Sequence, residues 1–122
     1  MDFKTEKKDN YTLVNILAEK IDTVNAPDLK AEFVLIASKG EKNMLIDFSK
    51  CRYIDSSGLS AILVANRLCK NAGGILVITG LQQAVERLII ISQLDNVLNI
   101  AYTMPKAIEM IENSIKEKQK GN

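Results

Sequence analysis

Histidine is absent from this chain, and so is tryptophan. Without histidine there is no Ser-His-Asp triad, no Cys-His pair and no histidine-based zinc site, and the commonest general base is missing. Two cysteines, Cys51 and Cys69, lie too far apart to read as a metal or redox motif. Three Phe, three Tyr and 16 basic against 15 acidic residues give neither the aromatic platforms nor the basic excess of a nucleic-acid surface. No apolar run is long enough to span a bilayer, and Met1-Asp2-Phe3-Lys4-Thr5-Glu6 is no secretory leader. The expectation is a cytoplasmic protein without membrane insertion, nucleic-acid partner, metal or catalytic centre.

What is present suits one domain over residues 1–122: 122 residues, 47% apolar and 25% charged. The central stretch runs from Met44 to Gly74. Met44-Leu45-Ile46-Asp47-Phe48 reads as a buried strand, and from Gly58 to Cys69 good helix formers follow. Asp55-Ser56-Ser57-Gly58 therefore falls where a strand hands over to a helix. The first amides of a helix lack intrahelical partners and carry the positive end of its dipole, a natural place for an anion.

Upstream, a charged segment over residues 1–10 and an apolar run Tyr11–Ala18 predict a hairpin with a polar edge strand. Asn25 is a candidate cap and Pro27 fits the first turn of a helix that buries Leu29, Phe33, Ile36 and Ala37 and ends at Gly40. Downstream, Ile75–Thr79 reads as an interior strand. Leu81, Ala84, Val85, Leu88 and Ile91 repeat at helical spacing, and Val97–Tyr102 is a short strand. Thr103 caps a last helix striped by Met104, Ile108, Ile111 and Ile115, before a solvated tail over residues 116–122. Strands alternating with helices through short links predict an α/β domain with a mixed, mostly parallel sheet, an N-terminal hairpin and four helices.

At about 100° per residue, Ala61, Ile62, Ala65, Leu68, Cys69 and Ala72 share the sheet-facing side of the central helix. Ser60, Asn66, Arg67, Lys70 and Asn71 share the other, and Leu59 and Leu63 project among them. Two arrangements follow: an exposed apolar ridge suited to a partner, or two leucines covered by a neighbouring element. Asp22 and Asp55 lie at the ends of predicted elements and converge near one sheet edge. An Asp there is also an ordinary cap, and Ser-Ser-Gly an ordinary turn.

Asp47-Phe48-Ser49-Lys50-Cys51-Arg52-Tyr53-Ile54-Asp55-Ser56-Ser57-Gly58-Leu59, preceded by Ile21-Asp22-Thr23-Val24-Asn25-Ala26-Pro27-Asp28-Leu29, resembles the STAS domains of bacterial anti-sigma factor antagonists. The likeness runs from about Tyr11 to Ile115. It implies a STAS-like α/β fold with no cofactor, which binds an anti-sigma factor that is itself a serine kinase and thereby releases a sigma factor. It further implies that phosphorylation at Ser57 switches binding off and that a serine phosphatase restores it. Ser57 matches the phosphoacceptor, Asp55 the acid before it, Asp22 the acid of the earlier loop, and Gly58 a glycine that keeps the turn open. Glu19 stands where many members carry glycine. The partner face expected on these grounds is Asp22, Asp55, Ser56, Ser57, Gly58, Leu59, Leu63, Asn66 and Arg67. The alternatives are a STAS component of a stress-signalling or membrane-transporter complex and, from a different class, weak nucleotide binding by Asp22 and Asp55.

Overall fold

In the computed structural model, residues 2–120 are described. Seven strands and four helices follow one another along them: β1 (Phe3–Lys7), β2 (Thr12–Ile16), β3 (Lys20–Ile21), α1 (Ala26–Ser38), β4 (Met44–Asp47), β5 (Tyr53–Ile54), α2 (Ser56–Asn71), β6 (Leu76–Thr79), α3 (Gln83–Ile91), β7 (Asn99–Ala101) and α4 (Met104–Lys120). Five strands form one sheet in the order β1-β2-β4-β6-β7, and β3 and β5 form a second, two-stranded one. β1 runs antiparallel to β2 as the expected polar edge; every other pairing is parallel.

The alternation of strand side chains divides the core. Val14, Ile16, Met44, Ile46, Leu76 and Ile78 meet Leu29, Phe33, Ile36, Ile62, Ala65, Cys69, Val85 and Ile89 from α1, α2 and α3. On the opposite face Leu45, Val77 and Ala101 meet Ala107 and Ile111 of α4. All four residues of β6 are buried, as a strand covered on both faces must be. Asn43, also buried, is fully engaged: its amide group donates to the Asn10 carbonyl at 3.0 Å and its Oδ1 accepts from the Ile75 amide at 2.9 Å. It ties the β1–β2 turn to the start of β6.

Several expectations are corrected. β3 and β5 were not foreseen; they exist because each finds its pairing partner in the other. Helix α4 continues through Lys116–Lys120 where a solvated tail was expected: those residues are exposed but helical, with Lys118 and Lys120 at the negative end of the dipole. Residues 121 and 122 of that predicted tail lie outside the described residues. Ile91 is 70% exposed, whereas Val85 and Ile89, one turn apart, carry the burial of α3. Asn25 occupies the N-cap position of α1 but makes no capping bond. Its side chain turns back, accepting from the Asp22 amide and donating to the Lys20 carbonyl, both at 2.9 Å.

Candidate functional site

The site is built where the two-stranded sheet ends. Ile21 pairs with Ile54, and the Asp55 amide donates to the Ile21 carbonyl at 3.1 Å. Glu19 helps hold the pairing, its carbonyl accepting from the amides of Arg52 and Tyr53. Parallel pairing sends Asp22 and Asp55 out side by side, each into a helix start. Asp55 caps α2: its Oδ1 accepts from the Ser57 amide at 2.8 Å and the Gly58 amide at 3.1 Å. Asp22 instead closes a tight turn, its Oδ1 accepting from the Val24 amide at 2.9 Å, with Lys20 3.7 Å away as a loose ion-pair partner. Each carboxylate therefore already spends an oxygen on backbone. The expectation that the α2 amides are open to an anion is corrected for Ser57 and Gly58.

Ser56 is exposed and Ser57 half-buried. Among the described residues the Ser57 hydroxyl has no hydrogen-bond partner. It borders a groove of about 370 Å³ between the first turns of α1 and α2, lined also by Thr23, Ala26, Pro27, Lys30, Ser60 and Ala61. Gly58 is there for closeness. Its φ is not positive, but a Cβ at this position would stand 2.9 Å from Ile21 Cγ2 and 3.2 Å from the Ile21 carbonyl oxygen, so any larger residue would have to displace Ile21 for α2 to settle as closely on β3.

The leucine ridge is not an exposed feature. Leu59 is 7% exposed and belongs to the main core, and Leu63 is half-covered against it. Asn66, expected on the polar face, is 5% exposed. The reason is that α1 packs alongside α2, so the helix is covered by the sheet and by a neighbour and its buried arc is wider than one stripe. Of the nine residues expected on the face, Asp22, Asp55, Ser56, Ser57 and Gly58 gather at the ends of β3 and β5. Leu59, Leu63 and Asn66 lie on the covered flank of α2, and Arg67 is exposed further along it.

Apolar surface is nonetheless present on the two segments that lead into the helix starts. Val24, at the tip of the Asp22 turn, is 82% exposed and Tyr53 is 52% exposed. Thr23, Val24, Lys30 and Tyr53 are given no role by the sequence, and Ser60 only a place on the polar side of the central helix. Val24 alone carried a signal, an apolar residue inside a polar turn. Both thiols are unsuited to nucleophilic work: burial raises Cys51 above its ordinary range and pushes Cys69 up to about 12.

A parallel sheet with three helices on one face and one on the other, entered by an antiparallel hairpin, defines the class as a small α/β domain with its site at a paired helix start. Residues 2–107 match the STAS domain, and the chain belongs to that family. It is 30% identical over 96 residues to the anti-sigma-B factor antagonist of Bacillus subtilis, covering 79% of this chain and 86% of the relative. The fold is that of the anti-sigma factor antagonist SpoIIAA, a Bacillus cell fate determinant. Its unphosphorylated form superposes with a TM-score of 0.78 at 17% identity over 91% of this chain and 96% of that one. Its phosphorylated form gives 0.70 at 17% identity over 89% and 98%. A sulfate transporter family protein from Wolinella succinogenes also shares the fold, with a TM-score of 0.73 at 17% identity over 85% and 86%. Among the described residues no helix is long and apolar enough to cross a membrane.

Proposed function

We propose that this chain is an anti-sigma factor antagonist: a binding module that, with Ser57 unmodified, docks on an anti-sigma factor with serine kinase activity and so frees a sigma factor. Phosphorylation of Ser57 ends the docking, and a serine phosphatase restores it. The observation that carries this reading is the unpartnered Ser57 hydroxyl at the mouth of an open groove. The antagonist relative at 30% identity supports it. Since the fold alone is shared with a transporter family protein, it does not select the function. The chain itself is not an enzyme in this reading.

The switch is one of charge. In the kinase, Ser57 Oγ forms a bond to the γ-phosphorus of ATP as the bond to the β,γ-bridging oxygen breaks, ADP leaves, and the hydroxyl proton passes to a base of the kinase. The product carries about 1.5 to 2 negative charges. They arise beside the Asp55 carboxylate; the exposed apolar residues on the segments leading into α1 and α2 are Val24 and Tyr53, whereas Leu59 is buried. A partner that must desolvate that charge is expelled, and a loss of about 3 kcal/mol lowers affinity by about two orders of magnitude.

The test is binding and phosphate uptake with the cognate anti-sigma factor. Ser57→Ala is expected to bind within about threefold of wild type and to incorporate no phosphate from ATP, and Ser57→Asp to bind at least about tenfold more weakly. Val24→Asp is expected to keep the fold, because the side chain is outside the core, and to lose affinity by a similar factor. Stoichiometric phosphorylation of Ser57→Ala would overturn the assignment of the switch.

A further inference from the structure

Resting on the reading of Ser57 as the modified residue, we propose that the groove between the first turns of α1 and α2 receives the phosphoryl group and that Lys30 is its counter-ion. The start of α2 offers little welcome to that group. Asp55 Oδ1 already holds the Ser57 and Gly58 amides, and the Leu59 amide is bonded to the Asp55 carbonyl at 3.0 Å. A phosphate on Ser57 Oγ cannot use the Ser57 and Gly58 amides without evicting the Asp55 carboxylate, which repels it in any case, and the Leu59 amide is spent on backbone. Of these first-turn amides the Ser56 amide alone is left without an acceptor among the described residues, too little for a dianion, so most of the charge is met from across the groove.

The Ser57 side of the groove faces α1. Across about 370 Å³ stand Thr23, Ala26, Pro27 and Lys30, with Ser60 one turn further along α2. That is room for a phosphate and several waters. Among the described residues, Lys30 is the one cation lining the groove. It lies on the exposed side of α1, and the ion pairs among the described residues engage Lys7, Lys8, Lys20 and Lys106, leaving Lys30 uncommitted. The hydroxyls of Thr23 and Ser60 add neutral donors that adapt by rotation. Asp22, Asp28 and Asp55 all lie at these two helix starts and oppose the incoming charge. A single ammonium among three carboxylates directs the phosphate into the groove without holding it so tightly that a phosphatase cannot remove it. A lone Lys is a point charge with rotatable donors, unlike the rigid fork of Arg.

The experiment uses the full chain with phosphoserine incorporated at position 57 during synthesis, so it does not depend on any kinase. Phosphorus NMR follows the second ionisation of the phosphate, which lies near 6 in free phosphoserine. The wild-type chain is compared with Lys30→Gln, Lys30→Arg and Lys39→Gln, the last altering a lysine at the other end of α1. Lys30→Gln is expected to raise the second pKa by about 0.5, since losing a nearby cation disfavours the dianion; Lys30→Arg and Lys39→Gln are expected to leave it in place. Superimposable titrations of wild type and Lys30→Gln, or an equal rise in Lys39→Gln, would overturn the assignment of Lys30. Either outcome would leave the proposed switch standing if the anti-sigma factor phosphorylates Ser57. A kinase that passes over Ser57 would remove the switch while the titration still reported on the groove.

Discussion

The two helix starts at the site are written with nearly the same letters and fold differently. Ile21-Asp22-Thr23 and Ile54-Asp55-Ser56 each place an isoleucine in a paired strand, then an aspartate, then a hydroxyl residue, and the isoleucines are direct partners. After Asp55 the helix begins at once. After Asp22 it waits until Ala26. The cause lies downstream, at Pro27. A helix starting at Thr23 would put Pro27 in its fifth position, where the ring clashes with the carbonyl four residues back and no amide exists to bond it. The chain instead spends Asp22 to Asn25 on a turn, and Pro27 lands in the first turn, where its missing amide costs nothing. The second start has no proline, and Gly58 allows close seating on Ile21. A local signal shared by two segments is therefore decided by the residue three to five positions on.

The strongest way to break this contrast is to refuse the close seating. Gly58→Val sets a branched side chain against Ile21, which is 1% exposed and has nowhere to move. The expected loss is about 3 kcal/mol, measured by urea unfolding. Placed in an Ile21→Ala background, the same change should cost at least about 1 kcal/mol less, because the two positions share one contact. Equal costs in the two backgrounds would mean that α2 does not lean on β3 at this point.

The contrast also shows what a sequence makes legible. Met44–Phe48 and Ile75–Thr79 declared themselves because unbroken apolar runs bounded by turns have few alternatives, and the helix formers after Gly58 set Ser57 at a helix start, although the strand that leads into it is β5 and not Met44–Phe48. β3 and β5 could not be seen: two residues are too few for any period to show, and each is stabilised by a partner more than thirty residues away. Leu59 and Asn66 were misplaced because helical periodicity describes a helix against one surface, while α2 has two. Lys116–Lys120 looked like a tail because the apolar stripe stops at Ile115, although these residues are themselves good helix formers. Lys30 stayed hidden for a simpler reason. Its proximity to Ser57 exists only through the packing of α1 beside α2.

A gentler perturbation compares the two aspartates directly. Asp55→Ala strips the acceptor from two first-turn amides, and losing such a cap costs about 1 kcal/mol. Asp22→Ala removes one acceptor from a turn that Asn25 still braces from both sides, and its ion pair with Lys20 is long and largely solvated, so about 0.5 kcal/mol is expected. Asparagine at each position separates the geometry from the charge. Its side-chain oxygen still accepts the same amides, so Asp55→Asn and Asp22→Asn should both recover most of the loss in denaturant unfolding. If Asp22→Ala proved as costly as Asp55→Ala, the turn before α1 would be bearing as much as the cap of α2, and the distinction drawn from Pro27 would lose its energetic content. If neither asparagine variant recovered stability, the carboxylates would be acting through their charge at the two helix starts rather than through the bonds that define them.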